Sequence, residues 1–327
     1  MFTKELASTL ATLFKQDSRN IVPFLQGPPG IGKTAIIAQA AREAGKNLIT
    51  FALPTCESVD LRGLPTVVDG ATRWASPLPK DGVGILLLDE LASAAPDVQA
   101  ASHHIVHAEQ GSDMSLPLGW HIVLTGNRAV DKAHFRATAA PLRNRLTIIQ
   151  AEADVKGWAD WAMEHGIDPV VTAFLRWRPE LLVTKEVPNE GGFPSPRAWE
   201  AVSNILSLTV NTSVEWEMIL GTVGEGATTE FAAYLRTARE LPGIEELVHN
   251  QAKAQVPTSP AQLYALTTCL AQYTREHQKS AMKYVSRMPA EFALLYINDI
   301  RSHYDIRKDK AVAEWIGKHK TLFAEAA

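Results

Sequence analysis

Gly27-Pro28-Pro29-Gly30-Ile31-Gly32-Lys33-Thr34 is the stretch on which the fold of this 327-residue chain turns. It fits the pattern G-x-x-x-x-G-K-[ST] and lies between an apolar run at residues 21–26 and a helix-forming run at residues 35–43. That is the strand-to-helix setting such a loop requires. Glycines there let backbone N–H groups converge on phosphate oxygens, and the following helix adds the positive end of its dipole. In this arrangement Lys33 reaches the β- and γ-phosphates of a nucleoside triphosphate and the Thr34 hydroxyl binds magnesium. Gly27, Pro28, Pro29, Gly30, Ile31, Gly32, Lys33 and Thr34 are the candidate nucleotide-binding residues.

Further along, Ile85-Leu86-Leu87-Leu88-Asp89-Glu90 is an apolar run that ends in two carboxylates. Burying four aliphatic side chains would hold the acids rigidly. Asp89 is then expected to hold magnesium through its water shell, and Glu90 to orient and deprotonate an attacking water. Apolar runs at 21–26, 47–53, 84–88, 121–125 and 146–150 alternate with helical segments, which predicts an α/β domain over residues 1–150 with a parallel five-stranded sheet. Between the second and third runs, Asp69-Gly70 sits inside residues 67–74 as the turn of a tight hairpin. A second hairpin is expected around Gly111 to Asp113.

After Gln150 the strand signals fade. Amphipathic segments near 155–165, 168–178, 196–208, 214–220 and 228–240 predict a helical domain over 151–245. Pro257-Thr258-Ser259-Pro260 reads as a connector within a further helical extension over 246–327. The length suits two modest domains. With 46% hydrophobic and 21% charged residues the chain is ordinary globular material, which excludes a disordered or fibrous polypeptide. A net charge of -4 gives no broad positive field for nucleic acid. Two distant cysteines give neither a disulfide framework nor a zinc pattern. The sparse cysteines suit a reducing cytoplasm, and no apolar run is long enough to span a bilayer, so a cytoplasmic protein without membrane attachment is expected. His103, His104 and His107 share helical spacing, but no glutamate lies between them, and no metal is expected there.

Taken together, the two nucleotide segments and Thr125-Gly126-Asn127-Arg128 at the end of the fourth run resemble an AAA+ ATPase, and within that class the MoxR-like, helix-2-insert group. The resemblance implies a P-loop fold with a C-terminal α-helical lid, with ATP and Mg²⁺ as its ligands, the metal held by Thr34 and Asp89 through ATP and water. It implies that Asn127 reaches toward the γ-phosphate or the attacking water. Pro141-Leu142-Arg143-Asn144-Arg145-Leu146 occupies the place of an arginine that enters the neighbouring subunit's site, and either Arg143 or Arg145 could serve. The family usually ends this segment in Arg-Phe, whereas Leu146 follows here. Arg197, in Phe193-Pro194-Ser195-Pro196-Arg197-Ala198-Trp199, corresponds to the lid arginine that contacts the nucleotide of its own subunit, with Ser195 as the helix cap.

Further implications are a homo-oligomeric ring, expected to be a hexamer, and remodelling of a protein client, of which a von Willebrand A-domain protein is one candidate. The hairpin at 67–74 matches an insertion carried into the ring's pore, which would bring Arg73 and Trp74 to a substrate. Two alternatives remain. A motor or loader acting on nucleic acid is suggested by the likeness of Pro-Leu-Arg-Asn-Arg to branch-migration helicases and by the basic run from Arg301 to Lys310. The other is a nucleotide-gated scaffold that scarcely turns over.

Overall fold

The computed structural model describes residues 3–16, 20–108, 114–131, 136–241, 243–273, 278–301 and 304–322. The hairpin expected around Gly111 to Asp113 falls outside them. The chain divides into two compact units, Met1–Ala153 with Lys185–Val187, and Asp154–Thr184 with Pro188–Ala327.

In the first unit the order is α1 (Thr3–Phe14), β1 (Pro23–Gln26), α2 (Lys33–Glu43), β2 (Asn47–Ala52), α3 (Ser58–Arg62), β3 (Leu64–Val68), β4 (Ala71–Ala75), β5 (Gly84–Asp89), α4 (Pro96–His107), β6 (Trp120–Gly126), α5 (Ala140–Arg143) and β7 (Thr147–Gln150). Five strands pair in parallel in the order β2-β5-β6-β1-β7. The alternating strand and helix pattern anticipated this α/β sheet. β5, paired on both sides by β2 and β6, has Ile85, Leu86, Leu87 and Leu88 fully buried, at about 1.5–3 kcal/mol for each side chain.

Register sorts these side chains between the two faces. Leu88 lies beside Leu124 and Leu124 beside Phe24, so the three form one row across the sheet. Val98, Ala101 and Ile105 of α4, spaced at helical period, cover that row in a single core. On α1, Leu6, Leu10 and Phe14 are buried at i, i+4 and i+8, and the Phe14 ring packs 5.6 Å from that of His121 on β6.

The hairpin forms where Asp-Gly demanded it. Asp69 (φ 54°) and Gly70 (φ 77°) both occupy the left-handed region, and Val68 pairs with Ala71 directly across the turn. Two left-handed central residues match the twist of antiparallel strands. The ribbon runs from Leu64 to Ala75, longer than the 67–74 expected, and Pro65 is tolerated because a two-stranded ribbon leaves one edge of each strand unpaired.

The second unit is helical: α6 (Val155–Glu164), α7 (Pro169–Trp177), α8 (Pro196–Leu206), α9 (Thr212–Val223), α10 (Glu225–Arg239), α11 (Ile244–His249), α12 (Pro260–Tyr273), α13 (Gln278–Val285), α14 (Ala290–Ile300) and α15 (Lys310–Lys318). Asp154, Asp168, Ser195 and Asn211 each accept a first-turn N–H and so start α6, α7, α8 and α9. The rings of Phe174, Trp199, Phe231 and Tyr234 meet at 5.1–5.6 Å in tilted and edge-on geometry. The Trp199 indole N–H donates to the Leu181 carbonyl at 2.7 Å.

Helices on either side of residue 246 belong to this one unit. The Arg176 guanidinium on α7 grips the Asp299 carboxylate on α14 through two parallel bonds of 2.7 Å and also donates to the Thr268 hydroxyl on α12 at 3.0 Å. Both charged groups are buried, so each depends on the other. Asp299→Ala is expected to cost about 3–5 kcal/mol in chemical denaturation of the full chain, because it strands a buried guanidinium. Replacing both partners with methionine and leucine should come far closer to neutral. A loss below about 1 kcal/mol in the single variant would show that the pair does not bind α14 to α7.

Candidate nucleotide-binding site

Three adjacent strands, β5, β6 and β1, end on the same edge of the sheet, where ligands of open parallel sheets bind. At the end of β1 the chain must leave the sheet abruptly. Gly27 donates its N–H to the Gly126 carbonyl at 3.3 Å, and a Cβ there would lie 2.5 Å from the Ala151 carbonyl oxygen and 2.7 Å from Ile31 Cδ1. Glycine alone fits. Gly30 (φ 76°) and Gly32 (φ 89°) take left-handed conformations, and buried Ile31 anchors the loop between them. Gly32 is the N-cap of α2 and has no side-chain oxygen to offer the first-turn N–H groups, which leaves that end of the helix suited to an anion.

Lys33 is 8% exposed. Its ammonium donates to the Gly27 carbonyl at 2.8 Å, the Pro28 carbonyl at 2.9 Å and Asn127 Oδ1 at 3.0 Å. The lysine is thus drawn under its own loop and tied to the end of β6. Next to it, the Thr34 hydroxyl donates to Asp89, 3.0 Å from Oδ2 and 3.2 Å from Oδ1. A hydroxyl and a carboxylate that converge this closely form the hard-oxygen pair that magnesium takes from protein when phosphates and water complete its shell. The residues present therefore fit the ion. Among the described residues no group of three or more His, Cys, Asp or Glu could hold a metal without other ligands.

Glu90 follows Asp89 in a left-handed conformation (φ 60°, ψ 43°) with an exposed side chain. Its N–H donates to the Thr125 hydroxyl at 2.9 Å, and that hydroxyl in turn donates to Asp89 Oδ1. Sequence reasoning picked out Asn127 in this segment and passed over Thr125. The available signal was its place, two residues before Asn127 at the end of an apolar strand that runs to the site. It also passed over Asp131, a buried carboxylate that accepts the Arg128 N–H at 2.8 Å and pairs with its guanidinium at 2.8 Å, fixing the chain just beyond Asn127.

Lys33, Thr34, Asp89 and Asn127 are thus bonded into one cluster, with Glu90 at its margin. Arg143 and Arg145 stand apart from it on the surface. Arg143 ends α5, and its guanidinium makes no hydrogen bond or ion pair among the described residues. Arg145 lies 3.5 Å from the His107 ring nitrogen, and the His107 ring stacks on His103 with centroids 5.7 Å apart. Burial first, and then the nearby charges of His107, His104 and Arg145, hold the His103 imidazole below its usual pKa. Arg197, in the second unit, is exposed in the first turn of α8, whose cap is the expected Ser195 hydroxyl, 3.2 Å from the Ala198 N–H. On the hairpin Arg73 is exposed, while Trp74 packs under the Arg62 guanidinium at 4.5 Å.

Residues 23–131 match the sequence model of a family described as ATPase family associated with various cellular activities (AAA). The chain is similar to ATPase family gene 2 protein homolog B of Rattus norvegicus, 33% identical over 73 residues, which is 22% of this chain and 10% of that protein. It therefore spans about a tenth of that relative's length. Similar solved structures include NtrX from Brucella abortus in complex with ADP, with 16% identity, a TM-score of 0.37, and 99% of this chain and 68% of that chain covered. Another is a RuvB mutant from Thermotoga maritima, with 16% identity, a TM-score of 0.42, and 82% of this chain and 80% of that one covered. Residues 23–131, the stretch that the AAA model matches, contain the bonded cluster around Lys33 and Asp89.

Proposed function

We propose that this chain binds ATP and hydrolyses it in a homo-oligomeric ring, a hexamer, to remodel a protein partner in the manner of MoxR-type ATPases. One observation carries the proposal: the Lys33 ammonium and the Thr34 hydroxyl, on the loop, are already bonded to Asn127 and Asp89 at the ends of two neighbouring strands. A triphosphate laid along the loop would draw Lys33 away from the Gly27 and Pro28 carbonyls, exchanging neutral acceptors for anionic ones. Thr34 and Asp89 would hold magnesium, which supplies charge neutralisation across the β- and γ-phosphates. Glu90 accepts a proton from the attacking water, while Asn127 orients that water or the γ-phosphate. Arg143 is the better candidate for the guanidinium that enters the neighbouring site, since Arg145 is already engaged with His107. Arg197 would couple the helical lid, residues 151–245, to the same nucleotide.

The client is taken to be protein, with a von Willebrand A-domain partner as the first to test. The β3–β4 ribbon would face it, with Val67 77% exposed at its tip. The competing assignment, a nucleic-acid motor, leaned on the basic run from Arg301 to Lys310. Arg307 and Lys308 both pair with Asp305, and Lys310 pairs with Glu314, so much of that positive charge is balanced locally. Binding to DNA with a steep salt dependence would reverse the preference.

Lys33→Ala should weaken ATP binding by about 10- to 100-fold in a calorimetric titration. Glu90→Gln should bind ATP as wild type does and release phosphate about 10²- to 10⁴-fold more slowly. Wild-type turnover in Glu90→Gln would remove the assigned base. Arg143→Ala subunits should regain phosphate release when mixed with Lys33→Ala subunits, because each supplies the half-site the other lacks. If Arg145→Ala is rescued instead, the assignment passes to Arg145, and no rescue with either leaves no shared site.

A further inference from the structure

We propose that Thr125 is a positioning residue of this site, whose single hydroxyl sets the Asp89 carboxylate and the Glu90 backbone together. The inference rests on the ATPase reading above and adds to it a residue that touches neither nucleotide nor water. Thr125 is fully buried near the end of β6. Its hydroxyl has one proton to give and lone pairs to receive, and both capacities are used: it donates to Asp89 Oδ1 and accepts the Glu90 N–H at 2.9 Å. A carboxylate and the amide of the next residue are thereby held to one oxygen on a neighbouring strand.

The arrangement matters because Glu90 needs it. A non-glycine residue at φ 60° sits in a sparsely populated region, where the surrounding structure must over-determine the conformation. Among the described residues the other non-glycine example is Asp69, inside a tight turn that requires it. Glu90 lies outside any hairpin and leads into a single 3₁₀ turn, Leu91–Ser93, where the Ser93 N–H donates to its carbonyl at 3.0 Å. On its other side it is held by the buried β5 strand and by the Thr125 hydroxyl at its N–H. Thr34 also bonds Asp89, but that hydroxyl is the one that would turn toward magnesium, whereas the Thr125 contact lies behind the carboxylate in the sheet and survives ligand binding. Thr125 then keeps Asp89 aimed while Thr34 changes partner, and it keeps the Glu90 carboxylate directed at the position of the attacking water.

Valine has the shape of threonine and suits a strand, so Thr125→Val removes the hydroxyl with little change in packing. Three variants of the full chain, Thr125→Val, Thr125→Ser and Thr125→Ala, are compared with wild type. The measurements are phosphate release at saturating ATP, magnesium dependence, ATP affinity without magnesium, and hydrogen exchange of the Glu90 amide. Thr125→Val is expected to lower turnover and raise the magnesium requirement, each by about 10- to 100-fold. Metal-free ATP affinity should stay at the wild-type value, the Glu90 amide should lose protection, and Thr125→Ser should restore most of each property. If the valine variant does not fold, alanine against serine makes the same comparison. Unchanged turnover and magnesium requirement in Thr125→Val, or a folded serine variant as impaired as valine, overturns the proposal. If wild type releases no phosphate, the ATPase reading fails on its own. Glu90 amide protection and the magnesium dependence of ATP binding then still decide whether Thr125 positions the two acids.

Discussion

A buried lysine has to give its ammonium oxygen atoms, and the geometry of the loop and of the strand ends beside it meets that need at Lys33. Lys33 finds two oxygens in its own loop and a third on Asn127, 94 residues away in sequence. The first two explain the glycines and prolines before it: the loop must curl so that the Gly27 and Pro28 carbonyls point inward, and Gly27 must be free of a Cβ to pass Ala151. The third comes within reach because β6, which ends one residue before Asn127, pairs with β1, which ends one residue before the loop. All three are neutral oxygens, which an anionic phosphate oxygen would outmatch as an acceptor.

The same strand end serves a second purpose. Thr125, near the end of β6, holds Asp89 with Glu90, and Asn127, just past that end, holds Lys33. A shift of β6 by one residue would turn Thr125 to the other face and carry Asn127 with it. The register between β5 and β6, locked by Leu86 beside Ile122 and Leu88 beside Leu124, is therefore what aligns the polar ends. Apolar packing in the middle of the sheet sets polar geometry at its rim. That is why buried aliphatics with no chemistry of their own belong in any account of the site.

Much of this was legible in the sequence because the signals are local. A glycine loop between strand and helix, four aliphatics before two acids, and Asp-Gly between extended runs each depend on neighbours within about ten residues, the range over which backbone preferences act. Thr125 escaped notice because its bonds run to residues 35 and 36 positions away, and a threonine inside an apolar strand is ordinary on its own. In the second unit, α9 was read as 214–220 and spans Thr212–Val223. Its apolar residues lie nearly all round the helix, so periodicity marks only its middle, and the Asn211 cap and left-handed Gly224 that bound it were overlooked. The Arg176–Asp299 clasp spans 123 residues, and no spacing rule could have paired them.

The two candidate arginines show how structure divides what sequence left equal. Both lie in one short segment, both are exposed, and both follow Leu142, which is buried in the same core as Phe24 and Leu124. That leucine pins the backbone of α5, so the base of each side chain is fixed. Beyond the base they differ. The Arg145 guanidinium rests against His107, whose ring is stacked on His103, and moving it elsewhere would mean giving up that contact. The Arg143 guanidinium gives up nothing when it extends, because it has no hydrogen bond or ion pair among the described residues. A guanidinium on a pinned backbone with no internal partner loses little on meeting a phosphate. The same group tied to a neighbour must first be freed, and that difference favours Arg143 for reaching across to another subunit.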